Sequence, residues 1–334
     1  MPTPRLVGTP ARLLRQSLGS SLAASAFWSV ASRDFRIPEL DALPASRLAP
    51  LDPAPIPVAG RTAHAWEDAE LGPPPVTAGR TAGSRWRAAF TEGVSPVDVV
   101  RRIVAAHEAL GPRSPFVVLD EARAIEAAEA SASRWSHGTP LGPLDGIVIP
   151  VKDEFHMRGL PTRGGTAYLT DLHAEDAWVV RRLEAAGAIV LGKTHCTEWG
   201  INPSGILQHQ IGPRNAYDAQ RAPGGSSTGS GIATALGLCP SAVGSDGGGS
   251  IRIPACLNGQ FGIKPTYIRV GRTGDLWGAS SLAHIGPIGQ TTADCVEQLA
   301  AIAGVDPDDP LTRFAPDGHP ADAWRAALGR GVRG

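Results

Sequence analysis

Apolar and polar positions alternate between two periods along this chain. From residue 95 onward the helical period dominates first. Ser95-Pro96-Val97-Asp98 supplies an N-cap residue, a proline suited to the first helical position, and an acid completing a capping-box-like pattern. Val99, Val100, Ile103, Val104 and Leu110 then form an apolar stripe, and Gly111-Pro112 closes the helix. Phe116 to Leu119 is short and apolar and predicts a strand; Glu121 to Trp135 is alanine-rich and predicts a helix. Gly146 to Val151 and Ala188 to Leu191 are continuous apolar runs of the kind found in strands buried on both faces. Between them, Asp176 to Ala186 predicts a helix ended by Gly187. Ser227 to Leu238 predicts a Gly/Ala-rich helix, Ser241 to Gly244 a short strand, and Thr292 to Ala301 an amphipathic helix. Strands alternating with helices, several apolar throughout, predict an α/β fold: a mixed, largely buried β-sheet covered by helices on both faces.

The first 85 residues lack this order. Residues 42–81 carry many prolines, including Pro73-Pro74-Pro75, and are expected to be irregular. The division is therefore an irregular extension over 1–85 and a domain over 86–334. The first 33 residues hold Arg5, Arg12, Arg15 and Arg33 and no acid before Asp34. A compositionally biased extension is preferred there over a targeting segment.

Bulk composition narrows the function. A hydrophobic fraction of 42% allows a sizeable core, and a net charge of −1 gives no electrostatic footprint for nucleic acid. No apolar run is long enough to span a bilayer. Cys196, Cys239, Cys256 and Cys295 are widely spread without CxxC spacing, so reduced thiols in a cytoplasmic protein are expected rather than a disulfide scaffold or a zinc site. No metal or cofactor is expected.

Two glycine-serine clusters carry the chemistry: Gly224-Gly225-Ser226-Ser227-Thr228-Gly229-Ser230 and Ser245-Asp246-Gly247-Gly248-Gly249-Ser250-Ile251-Arg252. Glycine permits close backbone approach, so the N–H groups of Gly247, Gly248, Gly249 and Ser250 can converge on one oxyanion. A tight turn capped by a serine has the same letters. Lys152 follows an apolar strand, where burial disfavours an ammonium and suits a base; the plainer alternative is a strand-end lysine paired with Asp153 or Glu154. Two motifs match only by letter. Gly187 to Thr194 fits GxxxxGK[ST], but its middle residues are a buried apolar run, not a phosphate loop. Gly225 to Gly229 fits GxSxG, but a polar turn precedes it and no histidine partner is recognisable.

From Ser95 to Ala303 the chain resembles the amidase signature family. The resemblance rests on Gly142-Pro143-Leu144-Asp145-Gly146, Val151-Lys152-Asp153, the run Ala188 to Thr194, Pro223-Gly224-Gly225-Ser226-Ser227, the run Gly248 to Ala255, Gly262-Ile263-Lys264-Pro265-Thr266 and Gly286-Pro287-Ile288. It implies a catalytic triad in which Ser250 is the nucleophile, Ser226 the bridging serine in a cis peptide and Lys152 the base. The amides of Gly247, Gly248, Gly249 and Ser250 would form the oxyanion hole. The implied activity is hydrolysis of a small-molecule amide. The alternative within the family is the amidase-like subunit of a tRNA-dependent amidotransferase, which releases ammonia from glutamine. A non-catalytic binding protein is the alternative of another class, opposed by the intact Lys152, Ser226 and Ser250. A homodimer is compatible with the family. Thr228 stands where the family often has glycine, and Gly247 where a larger residue is common. Family members continue past residue 334, so the resemblance implies a C-terminal part that this chain lacks.

Overall fold

The computed structural model describes residues 83–277, 280–315 and 321–328. The extension over 1–82 lies outside the described residues, as does the proline-rich stretch within it.

Helix α1 (Gly83–Thr91) buries Trp86 and Phe90. Helix α2 (Pro96–Leu110) forms where its cap and stripe predict. Ser95 Oγ accepts the Val97 N–H at 3.2 Å, and Val99, Val100, Ile103 and Ala106 are buried along one face. Each of the larger aliphatic side chains contributes about 1.5–3 kcal/mol on burial. Asp98 does not complete the box but faces Arg101 at 3.9 Å. Strand β1 (Phe116–Leu119) leads to helix α3 (Glu121–Ser136), which turns the small residues Ala124, Ala128 and Ser131 inward.

The two long apolar runs are buried as expected but pair over shorter stretches. Strand β2 is only Val151–Lys152, because Pro150 has no N–H to give the ladder. The run before it keeps a parallel bridge from Val148 to Ile189, and the Pro150 carbonyl accepts from Val243 N–H at 2.9 Å. Helix α4 is Trp178–Ala185, since Asp176 is drawn instead to Arg123 at 2.8 Å. Strand β3 (Gly192–Thr194) falls just after the predicted run. Helix α5 (Thr228–Ala235) and strand β4 (Ser241–Asp246) follow. Helix α6 (Arg252–Leu257), strand β5 (Phe261–Gly262), strand β6 (His284–Gly289), helix α7 (Thr292–Ile302) and helix α8 (Ala321–Ala327) complete the described elements.

The sheet order is β1-β3-β2-β4-β6-β5. β2 is parallel to both its neighbours, and the outer pairings are antiparallel, giving the mixed sheet expected. Its two faces meet different helices. At Gly244 a methyl would lie 2.8 Å from Ser227 Oγ, beside the start of α5, whereas at Gly289 it would lie 2.8 Å from Cys295 Sγ of α7. Gly244 pairs with Gly286, and Gly289 lies three positions further along β6, so the pleat puts the two on opposite faces. All four cysteines are unpaired.

Candidate active site

The C-terminal end of β2, the start of α5 and the loop after β4 meet at one polar centre. Lys152 closes β2 and is fully buried. Its Nζ donates to Ser226 Oγ at 2.7 Å and to Ser245 Oγ at 2.8 Å, and lies 2.9 Å from Glu154 Oε2. Ser245 Oγ in turn donates to Glu154 Oε2 at 2.5 Å. The lysine therefore does not snorkel. It does pair with Glu154, but inside the protein rather than at a strand end in water.

Ser226 follows a cis peptide bond from Gly225. That backbone is packed tightly: a methyl on Gly225 would sit 2.5 Å from the Asn202 carbonyl. Gly200, at φ +65°, passes equally close to the centre, since a methyl there would lie 2.5 Å from Glu154 Oε1 and 3.4 Å from both Ser226 Oγ and Trp277 Nε1.

Ser250 lies half-buried in the turn between β4 and α6. Its carbonyl accepts the Ser227 N–H at 3.2 Å, which ties the loop to the head of α5. The structure brings Lys152 and Ser226 into direct contact, and among the described residues no hydrogen bond joins the Ser250 hydroxyl to Ser226.

The glycine loop differs from expectation at one position. Gly249 N–H donates to Asp246 Oδ1 at 2.7 Å, so this amide is engaged inside the loop. The buried Asp246 also accepts from Ile251 N–H at 3.1 Å and from Arg252 Nε and Nη2 at 2.9 Å. Burial alone would raise the Asp246 pKa, but Arg252 and these amides hold it below the usual carboxylate range. Gly247 and Gly248 are exposed.

In the sequence Glu154 stood only as the plainer partner of Lys152, and Ser245 and Asp246 stood in the second cluster without a role of their own. For Asp246 a signal existed: an aspartate directly before a glycine turn commonly accepts backbone N–H groups a few residues on. The phosphate-loop lookalike is buried strand, with Lys193 Nζ held by Asp153 at 3.1 Å, Thr162 Oγ1 at 2.8 Å and the Pro161 carbonyl at 2.6 Å. Among the described residues no group of three or more His, Cys, Asp or Glu is placed to hold a metal, and no helix is long and apolar enough to cross a membrane.

Comparison with known proteins identifies the family to which this mixed sheet and its buried lysine–serine centre belong. The family model described as Amidase matches residues 98–329, and the chain belongs to that family. It is 39% identical over 216 residues to a fatty acid amide hydrolase of Arabidopsis thaliana, covering 63% of this chain and 36% of that protein. It is 41% identical over 243 residues to a glutamyl-tRNA(Gln) amidotransferase subunit of Ralstonia nicotianae, covering 72% of this chain and 49% of that protein. Among solved structures, native peptide amidase from Stenotrophomonas maltophilia superposes with a TM-score of 0.66 at 33% identity, covering 71% of this chain and 51% of that one. The chain thus spans about half, or less, of the length of these relatives.

Proposed function

We propose that this chain hydrolyses a carboxylic amide through an acyl-enzyme on Ser250, with Ser226 as the bridging serine and Lys152 as the base. The observation that carries the reading is the 2.7 Å contact between the fully buried Lys152 Nζ and Ser226 Oγ, beside the loop that holds Ser250. Family membership supports it.

As the base, Lys152 takes the Ser226 proton as Ser226 takes that of Ser250. Ser250 Oγ attacks the amide carbonyl, and the oxyanion is held by the N–H groups of Gly247, Gly248 and Ser250. Gly249 serves as well only if it leaves Asp246. One such donor is worth about 10²–10³ in rate. The proton returns through Ser226 to the leaving amine, and water then releases the acid. Closure of the Ser226–Ser250 contact belongs to the substrate complex, where catalytic hydrogen bonds commonly tighten.

A second reading, ammonia release from glutamine for a partner enzyme, is favoured by the 41% identity to the amidotransferase protein. One experiment addresses both. The protein is treated with a serine-directed fluorophosphonate, followed by intact mass, beside Ser250→Ala and Lys152→Ala, and ammonia release is assayed on simple amides and on glutamine. A single adduct lost in both variants is expected. An adduct that survives in Ser250→Ala places the nucleophile elsewhere, and release from glutamine alone selects the second reading.

A further inference from the structure

The charges around Lys152 do not balance. Lys152 faces Glu154 at 2.9 Å, Lys193 faces Asp153 at 3.1 Å, and Arg272 faces Asp309 at 2.8 Å. A fourth acid, Asp275, is left over. Arg272, its nearest cation along the chain, is committed: besides Asp309 it donates to Tyr267 Oη at 3.0 Å and to the Ser280 carbonyl at 2.8 Å.

Asp275 nevertheless belongs to the same centre. It forms an antiparallel bridge with Phe155, and the next residue, Leu276, donates its N–H to the Glu154 carbonyl at 3.0 Å. Both carboxylate oxygens of Asp275, and Oε1 of Glu154, are buried with no hydrogen-bond partner among the described residues. A buried carboxylate with neither a paired cation nor a well-placed donor is strongly disfavoured, and taking up a proton removes the penalty.

We propose that Asp275 is held protonated beside Glu154 and acts as a positioning residue for Lys152, which then faces one negative carboxylate rather than two. Were Asp275 ionised, the second charge would hold Lys152 as an ammonium and keep it from acting as a base. The carboxyl of Asp275 is pushed up to about 8, first by burial and then by the Glu154 charge, while the Trp277 amide, Lys152 and Arg272 pull the other way. The other titratable groups facing Glu154 are Asp153, neutralised by Lys193, and the Cys196 thiol, which burial keeps neutral. The inference rests on Lys152 being the base, so its test has one arm that needs no activity.

That arm is folding stability against pH for the wild type and Asp275→Asn. With a raised pKa, the folded state keeps a proton that the unfolded chain has lost. Stability from this group is full below the unfolded value of about 3.9 and is lost as pH rises towards about 8. The wild type should therefore lose stability relative to Asp275→Asn across that window. Parallel curves overturn the proposal. Should Asp275→Asn not fold, isotope-edited infrared of wild type labelled at the Asp275 carboxyl alone decides: a protonated carboxylic C=O band persisting at about pH 7 supports it, and absence of the band overturns it. In the second arm, the fluorophosphonate labelling profile of Asp275→Asn should coincide with the wild type below about pH 8 and run higher above it, where the wild-type carboxyl ionises and holds Lys152 as an ammonium. Profiles that coincide above about pH 8 as well, or that separate below it, overturn the positioning role. Labelling that survives in Lys152→Ala instead sinks the base reading, and the stability arm still decides where the Asp275 proton is.

Discussion

Asp246 and Arg252 form a two-point ion pair, Nε to Oδ2 and Nη2 to Oδ1 both at 2.9 Å, across the loop that carries Ser250. The two partners are unequal: Asp246 is fully buried, whereas the Arg252 side chain is 54% exposed. An exposed arginine adds at most about 1 kcal/mol through its ion pair. The buried carboxylate also holds the Gly249 and Ile251 amides, and losing such charge-assisted bonds costs about 1.5–3 kcal/mol. Asp246→Asn should therefore destabilise more than Arg252→Ala in urea unfolding. It should also slow turnover, because the loop that carries Ser250 loses its anchor. A larger loss in Arg252→Ala would contradict this division of roles.

Gly247 and Gly249 sit two residues apart with opposite tolerance. A methyl at Gly247 would meet nothing closer than the Leu282 carbonyl at 4.0 Å. Gly247→Ala should change stability by no more than about 0.5 kcal/mol, and a gain is the expected sign because the unfolded chain loses freedom. Gly249 has φ +133°, and its methyl would lie 2.7 Å from Ile253 Cδ1. Gly249→Ala should cost about 1–3 kcal/mol. Thermal unfolding of the two variants side by side checks the contrast, and equal effects would sink it.

The sequence showed the helices and the letters of the site better than it showed the pairing of strands. Capping residues and apolar spacing are local, so α2, β1, α3 and α7 stand within a residue or two of expectation. Strand ladders depend on distant partners. The run ending at Val151 is buried throughout, but Pro150 limits its regular ladder to Val151–Lys152. β6 was not predicted at all, since His284–Gly289 holds two glycines and a proline and forms a strand only because β4 lies beside it. The same distance hides part of the site. Lys152, Ser226 and Ser250 stand in recognisable glycine-serine or strand-end contexts. Asp275 lies in a turn-like Thr-Gly-Asp-Leu stretch, and only the fold sets it beside Glu154.

Ser245 joins the lysine to its counter-ion, accepting from Lys152 Nζ at 2.8 Å and donating to Glu154 Oε2 at 2.5 Å. Ser245→Ala removes both bonds in a buried setting, and leaving such partners unsatisfied costs about 1–3 kcal/mol. Lys152 keeps its contact to Ser226, so the adduct on Ser250 should still form, but more slowly. Complete loss of labelling in a folded Ser245→Ala protein would make Ser245 a direct member of the relay rather than a support for Lys152.

Acid should unfold this protein through carboxylates tied to arginine, and Asp145 offers the clearest test. It is fully buried, accepts from Arg134 at 2.7 and 2.8 Å, and takes the Leu141 N–H at 2.8 Å. Burial alone would raise its pKa; the arginine and the amide outweigh that and hold it below the usual range. Asp176 with Arg123, and Asp309 with Arg272, follow the same pattern. A lowered pKa means the folded state releases protons that the unfolded chain still binds. The stability so gained is fully present above about 3.9, the ordinary aspartate value, and is lost as pH falls through the lower folded values. Asp275 acts in the opposite sense at higher pH, so the stability curve should peak on the mildly acidic side of neutrality. In Asp145→Asn the protein should be less stable at every pH above about 4 and should show a flatter decline below it. Chemical unfolding at a series of pH values measures both features, and an acid limb as steep as in the wild type would show that Asp145 carries none of the linkage.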